Sequence, residues 1–141
     1  MKRLIGSIAL SVAVLFIAFL VFGSGPVRSK PEKSEIVGEW ECVDLPEGFI
    51  SQLDGAGGHI SRISFREDGT LTTSNFPQRS PYRLVDIDSV WSLSDPSITP
   101  SGAWSVEFQM EHLQFRRHLG RLVLRYSISG KDNYYANYKK R

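Results

Sequence analysis

From Ile36 onward the apolar positions of this chain recur every second residue rather than every third or fourth. Ile36, Gly38, Trp40 and Cys42 alternate with Val37, Glu39, Glu41 and Val43. Trp104, Val106, Phe108 and Met110 alternate with Ser105, Glu107 and Gln109, and Leu122, Leu124, Tyr126 and Ile128 alternate with Arg121, Val123, Arg125 and Ser127. Val85, Ile87, Ser89, Trp91 and Leu93 keep the same beat. Successive side chains of a strand point to opposite faces, so this period predicts strands with one face on a core and one in water.

Turn chemistry punctuates the strands. Asp68-Gly69 sits between Ile63–Arg66 and Thr70–Thr73, and both turn residues tolerate the positive φ of a tight hairpin. Leu119-Gly120 and Ser129–Asp132 separate three further runs, Leu113–Arg117, Arg121–Tyr126 and Asn133–Lys139. Asp95-Pro96 and Pro100-Ser101-Gly102 bound a loop before Trp104. Between Leu45 and His59 the alternation lapses. Pro46–Leu53 reads as one short helix with Phe49, Ile50 and Leu53 on a common side, and Asp54-Gly55-Ala56-Gly57-Gly58 then breaks it. Phe76–Tyr82, with Pro77 and Pro81, reads as a loop. The expected fold class is all-β, an antiparallel meander closing into a small barrel or sandwich.

The first thirty residues obey a different rule. Met1-Lys2-Arg3 precedes nineteen uncharged residues, Leu4 to Phe22, rich in Leu, Ile, Val and Phe. A spanning helix needs about 20 apolar residues, and a cleavable signal needs an apolar stretch of roughly 7–15 followed by small residues. We read an uncleaved N-terminal transmembrane helix with the remainder outside the cytoplasm, the alternative being a signal segment cut after Gly23 or Gly25. The expected organisation is a membrane anchor or signal peptide over 1–23, a flexible linker over 24–34 and an extracytoplasmic β domain over 35–141.

Charge and cysteine content refine this. Residues 34–111 hold 13 Asp/Glu against 4 Lys/Arg, whereas residues 112–141 hold 8 Lys/Arg against Asp132 alone. We read this asymmetry as largely cancelled, because antiparallel pairing lays basic strands beside acidic ones, the alternative being a basic surface for an anionic partner. Cys42 is the only cysteine, which excludes an internal disulfide, and its place beside Trp40 on one strand face predicts a buried thiol.

Gly38-Glu39-Trp40 at the start of the first strand resembles the Gly-x-Trp signature of lipocalins and looser lipocalin-like barrels, over Ile36 to Lys139. The resemblance implies a barrel closed at one end by that Trp, with Arg125 or Lys139 as the basic residue packed over it. It also implies a ligand-carrying or partner-binding role rather than a particular chemistry.

Catalytic chemistry is sparse. His59, His112 and His118 lack metal-site spacing, and Asp86 and Asp88 share the polar side of their run. The Gly-rich 54–58 stretch lacks the Gly-Lys-Ser/Thr ending of a phosphate loop, and Cys42 has no neighbouring base. No catalytic residue, metal or cofactor is assigned. The expectation is therefore a non-catalytic binding domain anchored through Leu4 to Phe22, acting on a small apolar ligand or an envelope protein and not on nucleic acid. Trp40, Phe65, Trp104, Phe108, Leu124 and Tyr126 would line a ligand pocket or fill the core. Arg116, His118, Arg121 and Arg125 would form a basic strand face for a partner or anion, as in an envelope inhibitor or immunity-type protein.

Overall fold

A computed structural model describes residues 2–53, 59–79, 81–99 and 101–141. The Gly-rich stretch 54–58 lies outside the described residues. The elements in chain order are α1 (Lys2–Phe22), β1 (Gly25–Pro26), α2 (Lys33–Ile36), β2 (Gly38–Cys42), α3 (Glu47–Ile50), β3 (Ser61–Phe65), β4 (Thr70–Ser74), β5 (Phe76–Gln78), β6 (Arg83–Val85), β7 (Asp88–Val90), β8 (Ser92–Ser94), β9 (Ser105–Phe108), β10 (Glu111–His118), β11 (Arg121–Ser129) and β12 (Tyr134–Lys140).

One antiparallel sheet runs in the order β7-β4-β3-β2-β12-β11-β10-β9-β8. Its two edge strands, β7 and β8, follow one another in the chain with only Trp91 between them. A single extended run therefore pairs with β4 through Asp88–Val90 and with β9 through Ser92–Ser94, which brings the sheet round into a nearly closed barrel. Side chains at period two on every strand send one set inward, and a barrel leaves few unpaired edges. The all-β antiparallel expectation holds.

The barrel has two dissimilar ends. The lower end gathers α2, the β3–β4 turn, the β10–β11 turn and the carboxyl terminus; the upper end carries α3, the β5–β6 hairpin and the β9–β10 and β11–β12 turns. At the lower end Trp40 is fully buried and its Nε1 donates to Ile36 O at 2.8 Å. The basic residue of the last strand at this place is Lys140, paired in register with Trp40, rather than Arg125 or Lys139. Its Nζ donates to Ser34 O at 3.0 Å and Glu35 O at 3.2 Å, satisfying carbonyls at the end of α2. Gly38 has φ +130°, a backbone conformation that favours glycine, and a Cβ there would come within 2.8 Å of Lys140 Cε and push that side chain aside.

Three further expectations are modified. Residues 24–34, expected as a flexible linker, are laid against the barrel: Gly25 and Pro26 pair with Arg117 and Arg116, and Val27 is buried. Val27 N donates to Phe115 O at 3.0 Å while Val27 O accepts from Trp104 N at 2.9 Å, so the segment fills the wall below β9. Phe76–Tyr82, expected as a loop, begins with β5, and β5 pairs with β6 in a small separate hairpin. Pro77 fits because an edge strand tolerates a residue without an N–H. Met110, expected on the apolar face, is 85% exposed; it shares with Gln109 the positive φ of the β9–β10 turn.

Among the described residues no helix is long and apolar enough to cross a membrane; in α1 the described side chains run from Gly6 to Ala18 only. Within that window Ile8, Leu10, Val12, Leu15 and Ile17 are between 59 and 70% exposed. At about 3.6 residues per turn these positions, together with the exposed Val14 and Phe16, point to all sides of the helix.

Candidate functional site

The six side chains expected to line a pocket or fill the core lie as follows. Trp40, Phe65, Phe108, Leu124 and Tyr126 are all at most 2% exposed. Trp104 is half-buried at the lower rim, and its Nε1 donates to Arg28 O at 3.1 Å. The space among the inward rings is taken by Phe76, which β5 inserts from above. Its ring centroid lies 4.8 Å from Tyr126, 5.4 Å from Phe108 and 6.4 Å from Tyr138. Phe49 of α3 packs edge-on against Tyr82 at 5.4 Å, and Phe65 likewise against Trp91 at 5.5 Å. Aromatic contacts at these separations are those of a packed interior.

The polar atoms inside that interior are paired. The Tyr138 and Ser61 hydroxyls hydrogen-bond each other at 2.7 Å, and the Tyr126 hydroxyl donates to Glu111 Oε2 at 2.7 Å. Burial pushes both phenols far above their ordinary pKa, so they stay neutral. Burial also raises the Cys42 thiol, which is 1% exposed and hence poorly nucleophilic. Among the described residues no group of His, Cys, Asp and Glu is placed to hold a metal ion. Asp86 and Asp88 are both exposed, and Asp86 Oδ1 accepts from Asn75 N at 2.9 Å.

The basic residues behave differently. Register pairs Gln114 with Arg125, Arg116 with Val123, and His118 with Arg121 across β10 and β11, while β12 adds Asn137 beside Arg125 and Lys139 beside Val123. Arg116, His118, Arg121 and Arg125 thus share one outer wall, as their alternation requires. The wall has two parts. Toward its middle, a depression of about 390 Å³ is lined by His112, Gln114, Arg116, Arg125, Tyr135 and several hydroxyls. Arg125 lays its guanidinium over the Tyr135 ring at 3.9 Å, and its Nε is buried with no hydrogen-bond partner among the described residues. A buried N–H without an acceptor is costly, and a cation over an aromatic face is held in a fixed orientation.

Toward the lower end a larger groove, about 740 Å³, opens between α2 and the β10–β11 turn. Leu122 contributes apolar surface above the buried Trp40, and Arg117, His118, Arg121, Lys139 and Lys140 line it with charge. Arg117 points inward at the rim and meets Glu35 Oε1 at 3.2 Å. Glu35 also accepts from the Glu32 backbone N–H, and these contacts hold its carboxyl below the usual range. Alternation placed Arg116, His118, Arg121 and Arg125 on the outer wall; it did not find Arg117 and Lys140, whose strand positions read as inward. The signal was available in their register, at strand ends where an inward side chain reaches the barrel mouth.

Expected cross-strand compensation is present in part. Arg62 Nε lies 2.8 Å from Glu41, and Arg141 lies 3.2 Å from Glu41 and 3.8 Å from Glu39. No protein-family model, curated protein or solved structure matches the chain.

Proposed function

We propose that this chain is a membrane-anchored, extracytoplasmic binding module of lipocalin-like form that works without catalysis. It holds a partner protein on the outer wall of β10–β12 rather than an apolar ligand inside the barrel. The unpartnered Arg125 Nε is the observation that carries the partner reading. It is buried in a depression that also presents Arg116, His112, Gln114 and hydroxyl groups. With that edge of the guanidinium buried and its plane fixed over Tyr135, the remaining N–H groups of Arg125 are held in one orientation, from which a partner's carboxylate would accept together with Arg116. The filled interior supports the same choice, because a small-molecule site of roughly 300 Å³ or more would need space now occupied by Phe76. The anchor rests on the uncharged run Leu4 to Phe22 and on apolar side chains facing every side of α1, a pattern of helices surrounded by apolar material.

Photocrosslinking in intact host cells tests this. A crosslinking residue at Gln114 in the full chain should give one discrete protein adduct that Arg125→Gln removes, while one at Lys131 on the upper end gives none. A small-molecule mass retained by the natively purified full chain, with no adduct at Gln114, would overturn the partner reading in favour of a carrier.

A further inference from the structure

We infer that the basic groove at the lower end docks the headgroup of an anionic phospholipid, so that the barrel rests on the membrane by the tip of its β10–β11 hairpin. The inference rests on the anchor reading above.

The tether between α1 and the barrel has almost no length. Gly120 N donates to Gly23 O at 2.7 Å, one residue past the end of α1, and Leu119 N donates to Ser24 Oγ at 3.3 Å. Gly25 and Pro26 then pair directly with Arg117 and Arg116. Leu4 to Phe22 would span about 28 Å as a helix, close to the thickness of a hydrocarbon core of about 30 Å. Gly23 then sits at headgroup level, and the hairpin tip bonded to it sits there too.

The chemistry at that level suits an anionic surface. Leu119, at φ +50° in the turn, leaves 48% of its surface exposed between His118 and Arg121. Among the described residues neither Arg121 nor Lys139 has a carboxylate within 4 Å, so both charges are available to a ligand. Lys139 pairs in register with Glu41, but that carboxylate is held by Arg62 at 2.8 Å and Arg141 at 3.2 Å. Glu39 is met by Arg141, and Glu67 and Asp68 lie in the β3–β4 turn, four strands round the sheet from the hairpin. Glu35, the one acid lining the groove, is bridged by Arg117. A phosphodiester headgroup would meet Arg121 and Lys139 at the mouth, with the part-exposed Leu122, which lies over the buried Trp40, behind for its glycerol and upper acyl carbons. Juxtamembrane cations beside an apolar side chain are the usual composition of such a surface.

Native mass spectrometry of the full chain released from a neutral detergent micelle tests this, with equal amounts of phosphatidylglycerol and phosphatidylcholine of matched chains. Phosphatidylglycerol adducts should exceed phosphatidylcholine adducts about 25-fold. Arg121→Gln with Lys139→Gln should cut phosphatidylglycerol affinity by about the same factor, at about fivefold per charge, and abolish the preference. Arg121→Gln alone, at an exposed position, gives the intermediate loss and guards against misfolding of the double variant. Lys131→Gln, at the upper end, leaves the preference intact. Equal adducts from the two lipids, or a preference that survives the double variant, would overturn the proposal. So would displacement of the lipid by millimolar inorganic phosphate, which would mark a site for a free anion. Failure of the anchor itself reads out separately, as release of the full chain from host membranes by alkaline carbonate.

Discussion

At the level of single residues, the Tyr138–Ser61 pair shows how a small barrel tolerates polar atoms in its centre. Tyr138 is fully buried, its hydroxyl faces Ser61 at 2.7 Å, and Ser61 has no exposed surface. Removing one partner strands the other, because a buried hydroxyl without an acceptor or donor carries its whole desolvation cost. Tyr138→Phe should therefore lower stability by about 1–2 kcal/mol, read as a reduced urea midpoint with unchanged slope. The double variant Tyr138→Phe, Ser61→Ala should recover part of that loss, since both ends of the bond are then apolar. Equal stability of the single variant and the parent would show that water reaches Ser61. Cys42 belongs to the same scale. Its burial was legible from its place beside Trp40 on one strand face, and the structure leaves it 1% exposed.

At the level of elements, α2 illustrates a charge whose effect depends on pH. Four residues cannot hold a helix by themselves, and α2 is fixed by Lys140 at its end and by the Glu35–Arg117 bridge to β10. The folded pKa of Glu35 lies below its ordinary value of 4.5, chiefly through the Glu32 N–H and then through Arg117. The folded state therefore binds its proton less readily than the unfolded state. The stabilisation is present above about pH 4.5 and fades as pH falls through the lowered folded value. Glu35→Gln should cost roughly 0.5–1 kcal/mol at pH 7, the bridge being part-exposed. The difference from the parent should shrink as pH falls below 4.5 in paired thermal melts. A difference that does not shrink would assign the effect to packing rather than charge.

The legibility of the elements follows the same physics. Strands with clean alternation and a glycine turn, such as β3–β4 and β10–β11, were placed by their pattern because tight hairpins with positive φ favour glycine. The β9–β10 turn was invisible, since Gln109 and Met110 take positive φ without being turn-forming residues. Proline at 77 and 81 masked the β5–β6 hairpin, so Phe76, the ring that fills the barrel, went unnoticed as a core residue. Val85–Leu93 read as one strand, yet it divides into β6, β7 and β8 because it leaves one neighbour for another on the way down. Pairing of this kind is decided by the closed sheet, not by local sequence.

For the whole molecule, the decisive join is between the apolar N-terminus and the barrel. The stretch from Gly23 to Glu32 supplies Gly25 and Pro26 to the edge of β10, buries Val27 and carries the Arg28 carbonyl that receives Trp104. It is wall, although its Pro, Gly, Ser and charge content reads as linker. Cutting the chain on either side of it should have unequal consequences. A chain beginning at Gly23 keeps every one of these contacts and should remain folded and monomeric in water. A chain beginning at Lys33 loses the burial of Val27 and the backbone bonds to Phe115 and Trp104, a deficit on the order of 3–5 kcal/mol. It also bares the lower edge of β10, an open template for pairing with a second copy. Size-exclusion chromatography with urea melts should show the shorter chain less stable and prone to associate. If both chains melt alike, the segment only lies on the barrel, and the short tether that holds the hairpin tip beside α1 would have to be abandoned with it.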